Sequence, residues 1–164
     1  QVKSLMDNLL TLTMTLLAST AVQQNQPASS MDIARAYISA YEQQDFAAMR
    51  GLMADDAVLI DPTSFDLAFV QAPIHWTGAD EILEGISAWN IARGEYYIDR
   101  VYEAADRVIF DASMDVYYAT SEGERGFRYP IITIVTVENG LVTEHRDYTG
   151  FNEMAPLPAE GETR

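Results

Sequence analysis

Three aspartates stand in sequence settings that could make a carboxylate a proton-transfer group. Asp61 closes an extended apolar run and precedes Pro62, Asp115 lies within a long β-patterned run, and Asp147 follows His145 by two residues. In a strand, side chains two apart share a face, so His145 and Asp147 point the same way. Two carboxylates in one dry pocket repel each other and lose hydration, so at least one pKa rises toward neutrality and the pair supplies a base beside an acid. Tyr37 or Tyr41 would add a neutral hydroxyl able to donate to a carbonyl, alkoxide or epoxide oxygen. Plainer roles exist for each: Asp61 as a turn former, Asp115 on a polar strand side with Asp111 and Ser113, Asp147 as half of an ion pair, and Tyr37 as core. His75, just before Trp76, is placed either to line a pocket mouth or simply to face solvent.

The composition narrows what such a pocket could serve. A net charge of −15 with ten Lys plus Arg repels polyanions, which sets nucleic acid aside as a partner. The chain has no cysteine, which removes disulfides, thiolate metal sites and a cysteine nucleophile. Its two histidines, His75 and His145, lack metal-ligand spacing, so neither a metal nor any other cofactor is expected.

The elements that must position these groups follow from patterning. Residues 1–30 contain an uncharged run, Leu9 to Ala18, after Lys3 and before Ser19-Thr20-Ala21. That run is too short to span a bilayer and resembles a secretory signal, which would mean export to a periplasm or medium; a packing helix or an extension are the alternatives. No membrane segment is expected in the rest.

From Met31 the period becomes helical, with Ser29 or Ser30 as cap and Ile33, Ala36, Tyr37, Ala40 and Tyr41 on one stripe. Asp45 can cap a second short helix through Met53, a strand runs from Ala57 to Asp61, and Asp80 to Trp89 forms a third helix. Between them Ser64 to Pro73 reads as an apolar loop, a lid or an interface. Four long strands then fit Tyr96–Glu103, Arg107–Tyr118, Phe127–Glu138 and Leu141–Thr149, joined by short turns. Helices first and a meander afterwards give segregated α+β rather than a parallel α/β sheet. One domain over residues 31–154 and a flexible tail over 155–164 complete the expected organisation.

The stretch Tyr37 to Pro62, with Asp45-Phe46, Ala54-Asp55-Asp56-Ala57 and Asp61-Pro62, resembles the opening of the SnoaL-like, or nuclear transport factor 2-like, superfamily that includes ketosteroid isomerases. Glu138-Asn139-Gly140 through Arg146-Asp147-Tyr148 resembles the last hairpin of limonene epoxide hydrolases. The resemblance implies a cone: a curved antiparallel or mixed sheet wrapped around N-terminal helices, enclosing an apolar pocket, with a homodimer formed through the outer sheet face. From the isomerase side it implies roles for Tyr37 and Asp61, with Ile132 or Ile134 where that pattern has an aspartate. From the hydrolase side it implies roles for Asp147 and Asp115, with Ser113 at the arginine position, Leu59 at the tyrosine and Asp61 at the asparagine.

The expectation is therefore an acid–base enzyme of hydrolase, isomerase or dehydratase type acting on a compact hydrophobic molecule. Its catalytic candidates are Asp147, Asp115, Asp61 and Tyr37, and its pocket candidates are Tyr41, Leu59, His75, Trp89, Ile132, Ile134 and His145. The rival from another class is a binding or dimerisation domain of the same fold with structural aspartates. Geometry separates the two, because catalysis needs Asp147 and a second aspartate on one cavity.

Overall fold

The structure is a computed structural model that describes residues 28–67, 72–121 and 123–158. The segment read as a signal sequence lies outside the described residues, as does most of the tail. Among the described residues three helices come early: α1 (Ser30–Glu42), α2 (Phe46–Leu52) and α3 (Ala79–Ala88). Ser29 caps α1 in a reciprocal box, its hydroxyl accepting from the Asp32 amide at 3.1 Å while the Asp32 carboxylate accepts from the Ser29 amide at 3.2 Å. The buried stripe of α1 is Ile33, Ala34, Tyr37, Ile38, Ala40 and Tyr41, so Ala36, expected inside, is exposed. Asp45 caps α2 through the Ala48 amide, as its side chain and position predict.

The strands are β1 (Met53–Asp61), β2 (Ile74–Thr77), β3 (Ile91–Ala104), β4 (Arg107–Thr120), β5 (Gly123–Glu138), β6 (Leu141–Thr149) and β7 (Ala155–Pro156). They form one sheet in the order β2-β1-β6-β5-β4-β3, with β7 added against β5. Every pairing is antiparallel except β1 with β6, which makes the sheet mixed. The long β3–β6 meander curls over the buried stripe of α1, and Tyr37, Phe110, Met49, Leu59 and Ile82 lie fully inside the resulting core. This is the α+β arrangement expected from the order of elements, curved into the cone that the resemblance implies.

β1 starts at Met53 and β5 at Gly123, each earlier than expected, and three further details depart from the sequence reading. β2, a four-residue strand between the stretch read as loop and the third helix, pairs with β1. β3 begins at Ile91, five residues earlier than expected, because its first half pairs with the end of β4. The tail does not start loose at residue 155: Ala155 and Pro156 pair with Arg128 and Phe127, and the Leu157 amide donates to the Gly126 carbonyl at 2.9 Å.

Candidate active site in the cone

Strand alternation decides which candidates meet. On β6 the inward residues are His145, Asp147 and Thr149, all buried. Across the β5–β6 ladder they face Val135, Thr133 and Ile131. Asp61, the last residue of β1, reaches the same wall: its Oδ2 accepts from the Thr149 hydroxyl at 3.0 Å. Asp61 and Asp147 thus bound one cavity of about 450 Å³, together with Tyr41, Trp89, Tyr129 and Ile131.

Asp147 is held through one oxygen. Its Oδ1 accepts from the Thr133 hydroxyl at 2.6 Å and lies 3.0 Å from His145 Nε2. The latter approach is off the line a hydrogen bond needs, so Nε2 has no hydrogen-bond partner and the contact is electrostatic. Because Thr133 spends its only proton on Asp147, the Tyr96 hydroxyl, 3.0 Å away, is the donor to Thr133. Behind His145, the Tyr37 hydroxyl lies 3.0 Å from Nδ1. With Tyr37 donating, the ring proton sits on Nε2, facing the carboxylate.

Burial first, and then the negative charge of Asp147, raises Tyr37, Tyr41 and Tyr96 well above the ordinary phenol value. These hydroxyls stay neutral and can act as donors. Asp61 is more tightly occupied than Asp147. Its Oδ1 accepts from the Thr63 amide at 2.8 Å and the Thr63 hydroxyl at 2.5 Å, which caps the short 3-10 turn Pro62–Asp66. Burial pushes the Asp61 carboxyl up; the Thr63 and Thr149 hydrogen bonds oppose this and the charge of Asp147 adds to it.

The other candidates are placed elsewhere. Asp115 stands on the outer face of β4, opposite Arg128 of β5, which grips it with Nε at 2.5 Å and Nη2 at 2.7 Å. It is 2% exposed, yet it does not share the cavity of Asp147. Ile132 and Ile134 also project from the outer face, Ile132 being 43% exposed, while Ile131 and Thr133 take the inner positions. His75 is exposed and alternates with the inward Ile74 and Trp76. Leu59, Tyr37 and His145 are buried behind the cavity wall rather than forming it, whereas Tyr41 and Trp89 bound the cavity.

Sequence reasoning missed Thr133, Thr149 and Thr63, which hold the two carboxylates, and Tyr96, which bonds Thr133. Only the period-two pattern of β5, with Thr133 between Ile131 and Val135, could have pointed to Thr133. Among the described residues no group of three or more His, Asp or Glu is arranged to hold a metal ion. Among them, too, no helix is long and apolar enough to cross a membrane.

Residues 34–145 match the model of the SnoaL-like domain, and the chain belongs to that family. The match stops at His145, two residues before Asp147. No curated protein matches the sequence. Among solved structures, a candidate SnoaL-like polyketide cyclase from Shewanella putrefaciens is similar, with a TM-score of 0.66 at 16% identity over 77% of this chain and 93% of the other. An epoxide hydrolase of limonene epoxide hydrolase type from M. tuberculosis gives 0.61 at 16% identity, over 76% and 85%. A protein of ketosteroid isomerase-like fold from Catenulispora acidiphila, in complex with trimethylamine, gives 0.59 at 20% identity, over 73% and 86%. At such identities the likeness is one of fold.

Proposed function

We propose that this SnoaL-like domain is an acid–base enzyme that needs no cofactor and moves a proton on a compact, largely apolar substrate, with Asp147 as the base. The observation that carries this reading is the placement of Asp147: buried, bounding an apolar cavity, fixed at Oδ1 by Thr133, and with Oδ2 receiving no hydrogen bond from the described residues. An oxygen fixed on one side and open on the other is what a general base requires. Asp61, raised by burial on the same cavity, is the second carboxyl that could carry a proton, and Tyr41 and Tyr129 are neutral donors for a developing oxyanion. Epoxide hydrolysis, double-bond isomerisation and dehydration all use this equipment; the solved relatives described as epoxide hydrolase and ketosteroid isomerase-like support testing the first two. A homodimer through the outer sheet face belongs to the same reading, supported by exposed Tyr102, Ile132 and Tyr148 on that face.

The test is turnover of terpene epoxides and β,γ-unsaturated ketones by the wild type and Asp147→Asn across pH. Activity that the substitution abolishes is expected. No turnover of either substrate type would favour a binding domain, and equal activity in both proteins would eliminate Asp147 as the base.

A further inference from the structure

Two carboxylates bound the cavity, and no cationic side chain of the described residues bounds it with them. Five arginines are paired with carboxylates away from it: Arg50 with Asp55 and Asp80, Arg93 with Glu95 and Glu124, Arg107 with Asp106, Arg128 with Asp115, and Arg146 with Glu144. Hydrogen bonds from Thr133 to Asp147, and from Thr63 and Thr149 to Asp61, spread the negative charge without neutralising it. Asp147 is 4% exposed, and its Oδ2 takes no hydrogen bond from the described residues. A carboxylate oxygen of a buried residue therefore opens on the cavity without a hydrogen-bond partner among the described residues.

The rest of the wall has the same electrostatic sign. Tyr41, Trp89, Tyr118, Phe127, Tyr129 and Phe151 bring six aromatic rings to one cavity of about 450 Å³. Aromatic faces carry the negative side of a quadrupole and attract cations, most strongly where water is excluded. An anionic guest would meet repulsion from both carboxylates. A neutral apolar guest would bury its surface but bring the carboxylates no counter-charge. A guest whose single positive charge is spread over alkyl carbons satisfies the carboxylates and the rings together. The chain's net charge of −15 also draws cations toward it.

We propose that this cavity binds a compact organic cation, an alkylammonium group on an apolar body, with Asp147 and Asp61 as counter-charges and the aromatic wall as its packing surface. The inference rests on this cavity being the functional site, not on proton transfer within it. At this volume, toward the small end of ligand pockets, the apolar body is about the size of one or two rings.

The test compares two probes of one shape, meta-hydroxyphenyltrimethylammonium and meta-tert-butylphenol, which differ only in charge. Affinities are measured by calorimetry near neutral pH on the wild type, Asp147→Asn and Trp89→Leu, each checked for folding by circular dichroism. The wild type should bind the cation about tenfold or more tightly than the phenol. Asp147→Asn should reduce that preference severalfold, and Trp89→Leu should weaken the cation severalfold while leaving the phenol less affected. Equal or tighter binding of the phenol by the wild type overturns the proposal without any variant, and so does failure to bind either probe. A wild type that prefers the cation but turns over no substrate keeps this inference and removes the catalytic reading. One that turns over epoxide or ketone while preferring the phenol does the reverse.

Discussion

His145 stands between Tyr37 and Asp147 with a ring nitrogen 3.0 Å from each, Nδ1 to the phenol oxygen and Nε2 to the carboxylate. The ring is 1% exposed and also meets Tyr41 edge-on, with centroids 5.1 Å apart, so water has little access to either nitrogen. Helix α1 thus reaches Asp147 through one imidazole, and the helix and the last long strand fix each other's register at this point.

Tyr37→Phe keeps the ring and removes only the group on Nδ1. The variant should lose about 1 to 3 kcal/mol of stability, the cost of an unsatisfied buried polar atom, read from denaturant melts. Tyr37 touches Asp147 only through His145, so turnover should fall by less than in Asp147→Asn and the KM should barely move. Unchanged stability would show that the hydroxyl does not hold the imidazole.

Asp115 tests the opposite face of the sheet. Arg128→Ala leaves a carboxylate that is 2% exposed without its partner, and should cost about 2 to 3 kcal/mol, reduced from the fully buried case because Arg128 itself is half-exposed. Asp115→Asn removes the charge along with the need for a partner, so it should cost less and leave turnover near wild type. A collapse of turnover in Asp115→Asn, with stability intact, would bring Asp115 back as a catalytic group.

The same two aspartates show how far the sequence could be read. Period two in β4 and β6 is enough for the strands and for the placement of His145 with Asp147 on one face, whereas the cone is legible only through the family resemblance. What faces Asp147 was not legible, because of a single bulge. The Asn139-Gly140 turn, both residues at positive φ, starts the hairpin with Glu138 opposite Leu141, and an unbroken ladder from there would set Asp147 against Ile132. Between Val137–Val142 and Thr136–Glu144 the register slips by one, leaving Thr143 unpaired and bringing Thr133 opposite Asp147. The resemblance places Ile132 and Ile134 on the pocket, whereas the alternation of β5 puts Ile131, Thr133 and Val135 inside and the slip pairs Thr133 with Asp147. β2 was missed because four residues with alternating exposure, Ile74 to Thr77, are too few to give a period against the apolar loop before them.

Asp61 makes a prediction about pH. Burial raises its folded pKa, with the Asp147 charge adding to this, more than the Thr63 and Thr149 bonds lower it. A carboxyl with a raised folded pKa binds more protons folded than unfolded. Its contribution to stability therefore falls as pH rises from the unfolded value, about 3.9, and levels off above the folded value. Asp61→Asn cannot titrate, so wild type minus variant should decline over that window in urea melts taken at stepped pH. A difference that is flat, or that grows with pH, would mean that the hydrogen bonds outweigh burial at Asp61.

Gly85 sets helix propensity against packing. A glycine inside a helix costs about 0.5 to 1 kcal/mol relative to alanine, so Gly85→Ala in α3 should stabilise if propensity decides. Packing opposes it, because a Cβ at Gly85 would lie 2.6 Å from Cη2 and Cζ3 of Trp76. The Trp76 ring would have to move, and its neighbour at 5.7 Å is Trp89, which bounds the cavity. The variant should lose about 1 to 3 kcal/mol, as overpacked sites do. The chain has only these two tryptophans, so its fluorescence reports on this contact directly and should shift in the variant before any ligand is added. Ligand affinity should fall with the displaced Trp89 even though Gly85 does not bound the cavity. A more stable Gly85→Ala with wild-type fluorescence would show that Trp76 swings clear of the helix and that the cavity wall does not depend on it.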